Sequence, residues 1–167
     1  MTGWRRRKNE GGVSMWRIGV LVLTMGLSAF AGEATWLTDV AEAKKQAAER
    51  HVPILADFSG SDWCGWCKKL DKEVFSQEAF QNFAQTNLVL LLVDFPRSKP
   101  QPPRLIAQNE ELQRRFRVEG FPTVLLLDAD GKEFARTGYK PGGAEAYIEH
   151  LKGLQGKPQQ APVEGGK

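Results

Sequence analysis

The run Leu88-Val-Leu-Leu-Leu-Val-Asp-Phe95 constrains the fold more than any other part of this 167-residue chain. It is too continuously apolar for a strand with one wet face, so other elements must cover it on both sides. We expect it to be central in a sheet. A second short apolar run, Val52-Pro-Ile-Leu-Ala-Asp-Phe58, ends in Ser59-Gly60-Ser61, which suits a buried strand leading into a loop.

The rest of the chain alternates with these runs. Ala34 to Arg50 has helix formers throughout, with Val40, Ala43, Ala47 and Ala48 on one stripe and Thr35 or Thr38 as the expected N-cap. A helix is expected to start near Cys64 and to run through Lys68, Lys69 and Leu70. After a break near Ser76, a further helical piece carries Phe80 and Phe83, which with Phe75 stand at core spacing. Pro96 to Pro103 holds four prolines and two basic residues and reads as a loop, after which Leu105 to Phe116 returns to helical spacing. Gly120-Phe-Pro122 marks a turn, Thr123 to Leu127 a strand, Asp128-Ala-Asp-Gly131 a hairpin turn and Lys132 to Thr137 its partner strand. Ala144 to Leu154 closes the pattern with an amphipathic helix. No internal repeat is visible. The expected class is α/β, a mixed central sheet with helices on both faces. Strands separated by helices should pair in parallel, and the last two should form an antiparallel hairpin.

Length allows one ordinary domain with a real core, and 41% hydrophobic with 26% charged residues excludes wholesale disorder. The net charge of +3 looks like a nucleic-acid signal until it is located. Residues 1–31 hold five basic residues (Arg5, Arg6, Arg7, Lys8, Arg17) and one acid, Glu10. Removing these from 23 basic and 20 acidic residues leaves 18 and 19, so the body is nearly neutral. A broad phosphate-neutralising surface is therefore not expected, and nucleic acid drops out as a partner.

The basic N-terminal residues precede an apolar run, Ile18 to Ala31, ending in Ala29-Phe30-Ala31. That is the layout of a secretory signal peptide, and the run is too short for a bilayer-spanning helix of about 20 residues. Cleavage after Ala31 is expected, with retention as an anchor the alternative; Arg5-Arg6 is followed by a polar stretch and makes a poor twin-arginine signal. Met15-Trp-Arg17 followed by the same run would be a compact leader by itself, so we expect translation to begin at Met15. The domain reading is a leader over 1–31, a folded domain over 32–155 and a disordered tail over 156–167, rich in Gly, Pro and Gln.

Both cysteines of the chain stand in Cys64-Gly-Trp-Cys67, after a strand and at the start of a helix. A helix N-terminus carries unpaired N–H groups and partial positive charge, which favour thiolate over thiol. Cys64 is thereby the expected nucleophile, and Cys67, one turn on, can reach its sulfur. Three other readings stay open for the pair: a zinc knuckle, which lacks further ligands because His51 and His150 are the only histidines; a structural disulfide, which would close a very small ring; and copper(I) binding by two thiolates.

The segment Asp57-Phe-Ser-Gly-Ser-Asp-Trp-Cys-Gly-Trp-Cys-Lys-Lys69, followed by Gly120-Phe-Pro-Thr123, resembles the thioredoxin superfamily, in particular exported bacterial members with a Trp before the cysteine pair. The resemblance spans about Ala34 to Leu154 and implies a thioredoxin fold. It implies that Cys64 attacks and Cys67 resolves through a redox-active disulfide, with no other cofactor and no metal. It also makes Pro122 a cis-proline, gives Phe121 the backbone that pairs with an extended substrate, and makes Asp57 the buried carboxylate that takes the Cys67 proton. Asp57 is one residue further from Cys64 than in ordinary thioredoxins, which leaves Asp62 as the competing carboxylate. Phe121 is bulkier than the usual residue before the cis-proline. Trp63 and Trp66 either form an apolar platform for substrate or pack on the core, and Lys68 and Lys69 either support a thiolate or form a solvated helix face.

The function expected is an exported, periplasmic thiol–disulfide oxidoreductase, a monomer that reduces protein disulfides and draws electrons from a membrane thiol donor. No histidine lies between the cysteines to stabilise the thiolate further, which argues against a strong oxidant. The alternative is a copper(I)-handling or non-catalytic protein-binding module on the same fold.

Overall fold

The computed structural model describes residues 34–156, together with Met1. The expected leader, the start at Met15 and all but the first residue of the expected tail lie outside the described residues. In chain order the elements are β1 (Trp36–Leu37), α1 (Val40–Arg50), β2 (Ile54–Ser59), α2 (Gly65–Leu70), a π-helical segment (Asp71–Phe75), α3 (Glu78–Asn87), β3 (Val89–Asp94), α4 (Pro103–Arg115), β4 (Thr123–Leu127), β5 (Glu133–Thr137) and α5 (Gly143–Gln155). One five-stranded sheet has the order β1-β3-β2-β4-β5.

Three expectations are corrected. Trp36 and Leu37 do not start a helix: they pair in parallel with Leu90 and Leu91 of β3, a contact across the sequence that local helix spacing cannot reveal. The helix therefore begins later, and its N-cap is Asp39 rather than Thr35 or Thr38. The Asp39 Oδ1 accepts from the Ala41 and Glu42 N–H groups at 2.8 and 3.2 Å, and its carboxylate is held low by the Arg104 guanidinium at 2.7 Å. Second, β2 and not β3 is the middle strand, although β3 is interior as its apolar run requires.

Third, β4 is separated from β3 by a helix yet runs antiparallel to β2, with Phe58 opposite Thr123 and Ile54 opposite Leu127. The reason lies in α4. Its first turn is tied to the β1 edge by Arg104 and Asp39, and the Phe116 carbonyl just past its end accepts from Arg136 of β5. The helix thus crosses the strands instead of returning along them, and delivers the chain to the end of the sheet it left. The hairpin to β5 is as expected: Asp128 Oδ1 accepts from Lys132 N–H, and Gly131 supplies φ 76° at the turn.

Alternation along the strands sorts the core onto two faces. Ile54, Ala56, Phe58, Leu91, Val93, Leu125 and Leu127 pack beneath α1 and α4 through Ala43, Ala47, Leu112 and Phe116. Leu55, Leu90, Val124 and Leu126 pack beneath the other layer through Leu70, Phe75, Phe80, Tyr147 and Leu151. Each fully buried Leu or Phe contributes about 1.5–3 kcal/mol relative to exposure. Phe75 and Phe80 join this core fully, while Phe83 only leans on it. The π-helical segment closes with Ser76 N–H on the Asp71 carbonyl at 2.8 Å, and that extra residue per turn swings Val74 and Phe75 under the sheet. Phe75 then stacks among Trp36, Phe80 and Tyr147 at centroid distances of 5.2, 5.0 and 6.0 Å.

Candidate active site

The C-terminal end of β2 runs into a tight turn that sets the position of Cys64. The Trp63 and Cys64 N–H groups both donate to the Gly60 carbonyl, at 3.2 and 2.8 Å. Cys64 is the N-cap of α2: its Sγ accepts from the Cys67 N–H at 3.2 Å, filling one of the donors that a helix start leaves unpaired. Cys64 and Cys67 are joined as a disulfide and are only 6% and 5% exposed. When reduced, a Cys64 thiolate at this place would keep the N–H donor and the positive end of the helix.

Asp57 lies on β2, opposite Leu92 on one side and Val124 on the other, on the face covered by α2 and α5. It is 6% exposed, and its Oδ1 has no hydrogen-bond partner. Burial pushes its carboxyl up to about 8, and the nearby charges of Asp71 and Asp94 push the same way. Asp57 and Cys67 line one cavity of about 270 Å³ together with Trp36, Ser61, Lys68 and Asp71. The extra residue between Asp57 and Cys64 has therefore not carried Asp57 away from the pair. In the turn between them, Ser61 donates from N–H and hydroxyl to Asp94 at 2.8 and 2.6 Å.

Asp62 has a different job. Its carboxylate accepts from the Arg97 and Ser98 N–H groups and the Ser98 hydroxyl, which hold it well below the usual carboxylate range and fasten the 95–102 loop to the cysteine turn.

Neither tryptophan is in the core. Trp63 is 37% exposed but fixed: its Nε1 donates to the Phe95 carbonyl at 2.8 Å, Phe121 meets it edge-on at 5.9 Å, and the Arg97 guanidinium lies 3.8 Å over its ring. Phe121 in turn stacks on Phe95 at 5.1 Å, and the Phe121–Pro122 peptide bond is cis. Trp66 is 58% exposed, leans on Tyr139 at 5.2 Å and has the Lys69 ammonium 5.1 Å from its centroid. Lys69 also pairs with Glu73 at 3.9 Å, and Lys68 donates to the Asp62 carbonyl at 2.7 Å.

The structure thus brings Asp57, Cys64 and Cys67 to one end of β2, with Trp63 against Phe121, the residue before the cis-proline, and Trp66 against Tyr139. Sequence reasoning missed Asp71, Asp94 and Arg97. Asp71 had a readable signal, because it stands four residues after Cys67 on the same helical face. Asp94 and Arg97 reach the site only through sheet register and loop packing, which carry no local pattern.

A family model described as a thioredoxin-like domain matches residues 40–152. The chain is 40% identical over 112 residues to the disulfide bond reductase DsbH of Chlamydia pneumoniae, covering 67% of this chain and 68% of that protein. It is 36% identical over 94 residues to the thiol:disulfide interchange protein DsbD of Actinobacillus pleuropneumoniae, covering 56% of this chain but only 15% of that longer protein. A solved structure described as DsbH oxidoreductase superposes with a TM-score of 0.71 at 33% identity, over 87% of this chain and 94% of that one. The chain belongs to the thioredoxin-like domain family and is a homologue of the Dsb thiol–disulfide oxidoreductases.

Proposed function

We propose that the protein reduces disulfides in other exported proteins through the Cys64–Cys67 pair, without a further cofactor or metal. The observation that carries this reading is the shared cavity of Cys67 and Asp57, a resolving sulfur beside a carboxyl that binds a proton near neutral pH. In the dithiol form the Cys64 thiolate attacks one substrate sulfur. A Cys64–substrate disulfide forms, and the other substrate sulfur leaves as a thiolate. Cys67 then gives its proton to Asp57 and attacks the Cys64 sulfur; the second substrate thiolate leaves and the Cys64–Cys67 disulfide closes. Two electrons have passed to the substrate. A carboxyl pushed up to about 8 in the disulfide form suits this end state, since it keeps the proton it has accepted.

Phe121, Pro122, Trp63 and Trp66 are the proposed substrate contacts, a reading supported by the exposure of the two tryptophans and by the ring contact of Phe121 with Trp63. The relative named as a disulfide bond reductase supports the reducing direction, and the relative named DsbD supports exchange with partner proteins. Among the described residues no helix is long and apolar enough to cross a membrane. The leader-like layout of residues 1–31 supports the further proposal of an exported, periplasmic monomer resupplied with electrons by a membrane thiol donor, and the nearly neutral body supports the absence of a nucleic-acid partner. The reduction potential of the pair tests the direction. A value near about −270 mV supports a reductant, and a value near about −120 mV would make the protein an oxidant.

A further inference from the structure

The loop over residues 95–102 does more than connect β3 to α4, because three contacts fix it to the turn that carries Cys64. Asp62 binds the loop backbone at Arg97 and Ser98, Trp63 Nε1 donates to the Phe95 carbonyl, and the Arg97 guanidinium stacks on Trp63 at 3.8 Å. These contacts hold a cation beside the residue that precedes the attacking cysteine. The guanidinium makes no ion pair with Asp62, whose carboxylate is held by N–H and hydroxyl donors, the Arg97 N–H among them. Lys68 lies against the same turn through the Asp62 carbonyl. Among the described residues neither Arg97 nor Lys68 has a carboxylate within ion-pair distance, whereas Lys69 on the other side of the pair is matched by Glu73.

We infer that Arg97, with Lys68 as an auxiliary charge, is a specificity-determining site that selects substrate disulfides flanked by Asp or Glu. This rests on the reductase reading and names its substrate class. A guanidinium stacked on an indole has already lost much of its side-chain freedom, and Arg97 is exposed, so an incoming carboxylate gains a charge-assisted hydrogen bond at little ordering cost. A substrate segment with Lys or Arg beside its disulfide instead meets two cations that are not in ion pairs. Since the site is exposed, the preference should fall as salt rises.

The test uses the full chain in its dithiol form and three synthetic peptides, each with one intramolecular disulfide flanked by Glu, Ser or Lys. The preference is the ratio of kcat/KM for the Glu peptide to that for the Lys peptide. We expect about tenfold in favour of Glu, from two interactions of the size of exposed ion pairs. Arg97→Ala should lower the ratio to about threefold or less, Arg97→Glu should invert it, and Arg97→Lys should retain part of it. Equal rates for the Glu and Lys peptides, or a ratio that Arg97→Ala leaves unchanged, would overturn the inference alone. Failure to reduce any of the three would overturn the reductase reading and this inference with it.

Discussion

Asp57 of β2 and Cys67 of α2 face the same cavity of about 270 Å³, with Asp71 on its wall. Burial keeps the Asp57 carboxyl protonated up to about pH 8, whereas the unfolded chain releases that proton near the ordinary value of 3.8. Between these values the folded state binds more protons than the unfolded state. Stability must therefore fall as pH rises from about 4 to about 8 and level off above that. Each pH unit in the window costs at most about 1.4 kcal/mol, on the order of 5 kcal/mol in all. Urea unfolding of the disulfide form across that range should show the decline, and Asp57→Asn should remove most of it. A variant with an undiminished slope would contradict the assignment.

Asp71 raises the Asp57 carboxyl through its charge, second to burial. Asp71→Asn should move the Asp57 titration midpoint down while leaving it above the ordinary carboxylate range, because burial persists. Carbon NMR of the Asp57 carboxyl reads this directly. A midpoint that stays put would remove Asp71 from the site.

Gly60 is required for the Trp63 contact, since a Cβ there would come within 2.5 Å of the indole. The ring is hemmed in by Phe121, Arg97 and its hydrogen bond to Phe95, so it has little room to retreat. Gly60→Ala should cost about 1–3 kcal/mol and alter Trp63 fluorescence. Unchanged stability and emission would show that the turn yields easily.

What the sequence revealed and what it hid have physical reasons. The runs at 52–58 and 88–95 contain the interior strands β2 and β3, the first buried throughout and the second over most of its length, and that burial leaves a clear apolar signature. Cys64 and Cys67 were legible from their spacing at a helix start, whereas Asp57, Phe121 and Pro122 were suggested only by the resemblance to thioredoxins, Asp57 in spite of a spacing one residue longer than usual. The strand at Trp36–Leu37 was not, because two residues are too few for a period and their partners lie more than fifty residues away. The antiparallel course of β4 depends on α4 crossing the sheet, which a hydrophobic stripe does not encode. Arg97 sits in a proline-rich loop that reads only as a connection, and the contacts of Asp62, the less favoured alternative to Asp57 in the sequence, with that loop depend on packing between distant segments.

The most direct measurement of the central claim is covalent trapping by single-cysteine variants. Cys67→Ser keeps the sulfur at the helix N-terminus and removes only the resolving thiol, so in oxidised extracts it should accumulate mixed disulfides that dithiothreitol dissolves. Cys64→Ser lacks the nucleophile and should trap none. Equal trapping by both variants, or by neither, would contradict the assignment of Cys64 as the attacking and Cys67 as the resolving residue.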